Sequence, residues 1–463
     1  MELNKKVDQL KEDLVKSTQE IVKIKSVEGE PKDGMPFGED VNNALKCALD
    51  ISKKLGFKTV NMNGYVGYAE YGEGDDYVAV LGHLDVVPEG NGWKYPAYGA
   101  EIHDGKVYGR GTMDDKGPIM TALYGLKAIK DCNLPLSKRV RVIFGTNEET
   151  GSKELEYYNA HEKAPISGFT PDAEYPIIYG EKGITIFDVV KDLNNKGCGE
   201  VVVKHIKGGE RANMVPDYCE AEVEAKNADS VVKAVKEFAE KTGFNLTTKV
   251  NNNNITIISK GIGAHGSLPE LGKNAVMQLF ALLETMPLGK CDLADYVSFF
   301  NKHVGFETDG KSFGVALEDK ESGKLTFNVG TISMDETKIS LSLNLRYPVT
   351  YKYDDMMNPF NKTISGTGMR VKNMSAQDPL FFPPDHPTIK TLQKVYKEQT
   401  GKEPKLLAIG GGTYAKEMKN IVAFGPIFPG QVDLDHQANE YMEIDDLVAN
   451  AKIYAHAIYE LAK

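Results

Sequence analysis

Hydrophobic residues in the first 180 positions fall into short unbroken runs separated by longer, helically spaced ones. YVAVLGH (77–83) and RVRVIFGTNEE (139–149) are rich in β-branched residues and end in polar ones, as buried strands do. Between them, GPIMTALYGLKAIKD (117–131) repeats its apolar positions at three- and four-residue spacing and predicts a helix. Near the start, Val7, Leu10, Leu14 and Ile21 predict an amphipathic helix in a segment too charged to be a signal peptide. This β-α-β succession predicts an α/β sheet with helices on both faces, whose ligand-binding groups gather beyond the carboxyl ends of the strands.

After about residue 185 the pattern changes to alternation. TIFDVVKDL, AEVEAK, ITIISKG and ISLSLNLRYPV read as half-exposed antiparallel strands, with SVVKAVKEFAEKTG as a helix among them. From about residue 386 the α/β texture returns, with HPTIKTLQKVYKEQTG as a helix, LLAIGGGTYA as a strand and Gly-rich turn, and a last helix from Ile444. The economical organisation is one α/β domain in two parts, 1–185 and 386–463, interrupted by an α+β insertion, 186–385, expected to form two subdomains.

Composition narrows the partners. A net charge of -11 over 463 residues argues against nucleic acid or an anionic membrane as the main partner. No apolar run approaches the ~20 residues that span a bilayer. Cys47, Cys132, Cys198, Cys219 and Cys291 are scattered and contain no C-x-x-C pair, which fits free thiols in a reducing cytosol.

The candidate chemistry sits at strand ends. In LGHLDVVPEGNGW (81–93), His83 closes a strand and Asp85 is near enough to accept a hydrogen bond from its imidazole, as metal-bound histidines commonly require; a capped strand end with a loop histidine is the plain alternative. YGRGTMDDKGP (108–118) matches neither Gly-rich phosphate motif, and its Asp114 and Asp115 suit a cation, although they also read as helix N-caps. FGTNEETG (144–151) places Glu148 and Glu149 side by side, where extended backbone would point them to opposite sides. FTPDAEYPIIYGEKG adds Asp172 and DLDHQANEY adds His436. Each is ordinary singly. Together, three carboxylates and two histidines suit two Zn²⁺ or Mn²⁺ ions, with a further carboxylate left over as a base.

The ordered set GHLDVVP, GRGTMDDKG, NEETG, PDAEYP and the late His436 resembles the co-catalytic metallopeptidase family that includes carnosinase, glutamate carboxypeptidase, acetylornithine deacetylase and succinyl-diaminopimelate desuccinylase. The resemblance runs through essentially the whole chain. With NEETG, GGERANMVP, DLDHQANEY and an insertion of roughly two hundred residues, it looks like the long, PepV-type branch. It implies a zinc-exopeptidase-like catalytic domain carrying a large inserted lid. His83 and Asp172 are then ligands of one metal and Glu149 and His436 of the other, with Asp114 bridging and followed by a cis peptide bond. Glu148 is the implied general base and Asp85 the residue orienting His83. His265, in GIGAHGSLPELGKNA (261–275), resembles the lid histidine that stabilises an oxyanion, against the alternative of an exposed loop histidine. Asn213 and Arg346 resemble binders of the substrate carbonyl and terminal carboxylate, and Arg346 offers the fork that a carboxylate fits. The turn holding Gly411 and Gly412 offers backbone N–H groups to the same carboxylate, or is a simple strand-to-helix connection. For the substrate's free amine only Asp115 or Glu174 suggests itself. The expectation is a cytoplasmic, monomeric dipeptidase using two divalent ions, zinc first and manganese second. An N-acyl-amino-acid deacylase on the same core is the second reading, and a non-catalytic scaffold the third.

Overall fold

Tyr77–His83 is buried at every position, because a strand in the middle of a sheet covered by helices has no solvent side. Arg139–Gly145 and Ser167–Thr170 flank it in parallel, and Ile421–Ala423 extends the parallel set beside Ser167–Thr170. The antiparallel strands Lys58–Met62 and Val66–Tyr71 complete the other side. The computed structural model describes residues 2–195 and 199–463, so Cys198 lies outside the described residues. It divides into two compact units, one of Met1–Tyr179, Phe382–Leu407 and Gly412–Lys463, the other of Gly180–Phe381 with Ala408–Gly411.

In the first unit the helix Lys116–Asp131 lies against the last helix, Ile444–Ala462. Gly125 permits the close approach, since a Cβ there would stand 2.9 Å from the Ala455 nitrogen. The charged N-terminus forms two helices, Glu2–Gln9 and Lys11–Val22, that bury Leu3, Val7, Leu14 and Ile21. Each such side chain contributes roughly 1.5–3 kcal/mol of burial.

The second unit is built on an eight-stranded antiparallel sheet in the order Asn245–Asn251, Asn254–Lys260, Tyr218–Ala225, Val201–Gly208, Thr326–Met334, Lys338–Tyr347, Gly183–Asp192, Arg370–Gln377. Its strands alternate buried and open positions, as in Tyr218–Ala225, and their apolar face packs with Ala275–Leu283, Asp292–His303 and Tyr353–Ile364 in one core. A single sheet therefore runs through the insertion. Among the described residues Cys47, Cys132, Cys219 and Cys291 are free thiols, and no helix is long and apolar enough to cross a membrane.

Candidate active site

The parallel strands of the first unit end on polar residues that converge. His83 Nε2 lies 2.8 Å from Asp114 Oδ1, and His436 Nε2 lies 3.1 Å from Asp114 Oδ2. One carboxylate thus faces two imidazoles, one oxygen to each. Glu149 Oε2 is 2.9 Å from His436 Nε2, and Asp172 Oδ1 is 3.9 Å from His83 Nε2. Ligand atoms of His83, Asp114 and Glu149 all lie within 4.8 Å of one another. The structure brings together all five residues expected to hold metal.

Local structure explains how each is held, and two details differ from the expectation. Glu148 and Glu149 are not on extended backbone but begin the 3-10 turn Glu148–Thr150. Asp85 makes that turn: its carboxylate accepts the backbone N–H groups of Glu148 (3.2 Å) and Glu149 (3.1 Å). The nearer partner of His83 Nδ1 is the Asp85 backbone carbonyl at 3.0 Å, with the carboxylate at 3.4 Å. Asp85 therefore sets both the imidazole and the paired glutamates. The Asp114–Asp115 peptide is cis. Asp115 is fully buried and its Oδ2 accepts the His83 backbone N–H at 3.1 Å, so it faces the strand rather than an amine pocket. Gly82 must be glycine here, because a Cβ would stand 2.2 Å from that oxygen. Glu174 is exposed.

Glu440 is the residue the sequence reading passed over. It is 0% exposed, and its Oε1 accepts backbone N–H groups of Gly111 (3.0 Å), Met113 (2.8 Å) and Asp114 (3.2 Å), while Oε2 pairs with buried Arg110 at 2.7 Å. It organises the whole loop that presents Asp114. It stands four residues past His436 in DLDHQANEY, where nothing local sets it apart from a solvated glutamate. Behind His83, Tyr414 stands edge-on at 5.9 Å and donates its hydroxyl to buried Glu154.

Crowded carboxylates raise one another's pKa values unless a cation intervenes. Burial, opposed by His83 but reinforced by Asp114 and Glu149, pushes Asp172 to about 7. Burial also drives Glu148 well above the ordinary carboxylate range, with Asp172, Asp114 and Glu149 adding to it. At Asp114 burial acts upward too, but hydrogen bonds from His436 and His83 prevail and hold it below the usual range. The hydrogen bonds to Asp114 and Glu149 raise His436 to about 11. Glu149 Oε1 is buried with no hydrogen-bond partner among the described residues. Oxygen and imidazole donors so placed are a donor set that fits a divalent cation, with the imidazoles neutral when they ligate.

A different cluster lies in the second unit. The strand pair Met214–Val215 and Ala264–His265 carries His265 next to the Asn213 loop, whose Asn213 carbonyl accepts the Gly266 N–H at 2.7 Å. His265 is exposed; its Nδ1 is 2.5 Å from Ser267 Oγ and also faces the Ser267 backbone N–H at 3.4 Å. Both contacts favour an accepting Nδ1, leaving the proton on Nε2. Burial, then the charge of Arg346, pushes the His265 pKa down, toward the neutral form. Arg346 is 3% exposed; its Nη1 donates to the Gly410 carbonyl at 2.6 Å and its Nε to Asn344 Oδ1 at 3.0 Å. The Gly-rich turn thus meets Arg346 through a carbonyl, with Gly411 and Gly412 next along the chain. Gly411 groups with the second unit and Gly412 with the first.

Comparison with known proteins identifies the family. A Bacillus subtilis protein named "Putative dipeptidase YtjP" is 42% identical over 457 residues, covering 98% of both chains. A Staphylococcus haemolyticus protein of the same designation is 34% identical over 462 residues, again covering 98% of each. The crystal structure of human carnosine dipeptidase 1 shares the fold, with a TM-score of 0.55 at 16% identity and 99% of each chain covered. So does the aminoacylhistidine dipeptidase from Vibrio alginolyticus, with a TM-score of 0.60 at 13% identity over 97% of this chain and 96% of that one. The signature of peptidase family M20/M25/M40 matches residues 79–460, and the chain belongs to that family.

Proposed function

We propose that this protein is a metal-dependent dipeptidase that hydrolyses dipeptides with free amino and carboxyl ends. The observation that carries the reading is Asp114, one oxygen on each of two histidines. His83 and Asp172 would hold one divalent ion, Glu149 and His436 the other, with Asp114 between them. Bound there, two divalent ions lower the pKa of a water from 15.7 toward about 7.

The chain's own groups supply the rest. Glu148 takes a proton from the attacking water as its oxygen adds to the peptide carbonyl carbon. His265 donates Nε2–H to the oxygen that gains negative charge. The C–N bond then breaks as Glu148 delivers its proton to the amine nitrogen, freeing two amino acids. Arg346 would hold the terminal carboxylate as a bidentate fork, and Asn213 would orient the carbonyl. Zinc is the ion proposed, with manganese accepted by the same donors; the proposed state is a cytoplasmic monomer, with peptides rather than nucleic acid or membrane as partner.

The test uses enzyme stripped of metal and restored with Zn²⁺ or Mn²⁺, offered an unmodified dipeptide and the matched N-acetyl amino acid. Metal-dependent cleavage of the dipeptide is the expected result. Cleavage of the acylated compound alone would replace the reading with a deacylase.

A further inference from the structure

Arg346 presents an unusual balance of charge. It is buried, yet among the described residues its side-chain contacts are a neutral amide oxygen and a backbone carbonyl, and no carboxylate perturbs it. Its charge acts on its surroundings instead: His265 is pushed down by burial and then by Arg346, and Lys182 by burial, opposed by Asp319 and Glu270, with Arg346 adding to the downward push. A buried guanidinium ordinarily acquires an acidic partner, because an uncompensated charge is costly away from water.

The neutral partner is Asn344, two residues before Arg346 on the strand Lys338–Tyr347 and therefore on the same face. Asn344 is 0% exposed, and its Nδ2 has no hydrogen-bond partner among the described residues. An aspartate has nearly the same shape, would accept the same Nε–H, and would leave no amide N–H unpaired. Directly across the sheet Asn344 faces Asn328, whose Nδ2 donates to the carbonyls of Ala212 (2.9 Å) and Met214 (2.8 Å), the two neighbours of Asn213. Gly266 is wedged between these parts, since a Cβ there would meet the Asn213 carbonyl at 2.8 Å and Asn344 Oδ1 at 3.0 Å.

We infer that Asn344 is a specificity-determining positioning residue: it fixes the Arg346 guanidinium through Nε while leaving its charge uncompensated, so that the substrate must bring the carboxylate. The inference rests on the proposed role of Arg346 as anchor. Asn344 does not touch the substrate; it acts through the arginine.

The experiment compares a dipeptide with its C-terminal amide, using the metal-loaded parent enzyme, Asn344→Asp and Asn344→Ala, with thermal melts of all three. The parent should prefer the free carboxylate by roughly a hundredfold or more in kcat/KM, the scale of a lost charge-assisted fork. In Asn344→Asp the new carboxylate neutralises Arg346. KM for the dipeptide should rise about tenfold or more with kcat within a few-fold, while the amide is little affected, so the preference collapses. In Asn344→Ala, KM should rise because Nε is no longer fixed, but the preference for the carboxylate should persist. A folded Asn344→Asp with the parent's KM and preference overturns the inference. If the Asp variant does not fold, Asn344→Ala decides, and a lowered Tm with unchanged KM reduces Asn344 to a structural role. If the parent itself shows no preference, the anchor reading of Arg346 has failed, and this inference falls with it.

Discussion

The two units solve opposite electrostatic problems. In the first, carboxylates crowd together and the imidazoles among them gain positive character, with His436 raised to about 11. In the second, a buried guanidinium stands without an acidic partner among the described residues, and the nearby His265 is pushed toward neutrality. Each cluster is short of one sign of charge. Under the proposed function each imbalance matches a partner of opposite charge: divalent ions at the first cluster, the substrate's carboxylate at the second.

That contrast can be broken at several points. The largest effect belongs to Glu148→Ala, which should retain metal, measured by elemental analysis, and lose roughly 10²–10⁴ in kcat, the range of a general base. A variant with parental turnover would move the base elsewhere. Next is Glu440→Ala, which leaves Arg110 buried without its partner and frees three loop N–H groups. It should cost about 3–5 kcal/mol in stability and weaken metal binding measured by calorimetry, whereas unchanged metal affinity would detach Glu440 from the site. His265→Ala should lower kcat by roughly 10²–10³ while metal content stays constant, because His265 is not among the proposed metal ligands. A change mainly in KM would recast it as a binding residue.

The smallest effect concerns pH. Burial, then repulsion from Asp85, raises Glu154 to about 7. Between the unfolded value of roughly 4.3 and about 7 the folded chain keeps a proton that the unfolded chain releases. Stability therefore falls as pH rises through that window and levels off above it. Glu154→Gln keeps an acceptor for Tyr414 and removes the loss, worth up to about 4 kcal/mol. In the metal-free state its Tm should fall less between about pH 5 and about pH 8; equal slopes would place the titration on another group.

The features legible in sequence were those tied to a period or a strand end. The unbroken run before His83 announced a buried strand, the strands of the insertion alternated, polar residues just past strands drew attention to His83, the Glu148–Glu149 pair and Asp172, and the family resemblance singled out Asp114, Glu149 and His436. What escaped was set by contacts between distant residues. The turn at Glu148–Glu149 exists because Asp85 captures two N–H groups from more than sixty positions away. Glu440 meets its loop across more than three hundred positions, and nothing local distinguishes a glutamate that will bind backbone from one that will be solvated. Asn344 is quieter still, since its significance lies in the charge it does not carry.

The order of the segments also has a consequence for synthesis. The first unit is completed by Gly412–Lys463, which carries both His436 and Glu440. During translation, at roughly 5–20 residues per second, His83, Asp114, Glu149 and Asp172 emerge early and wait while the entire inserted unit is made. A nascent chain thus has neither the proposed ligand His436 nor the Glu440 clamp on the Asp114 loop until the segment around residues 436–440 has followed the inserted unit out of the ribosome. On the proposed assignment, hydrolytic competence waits for that segment.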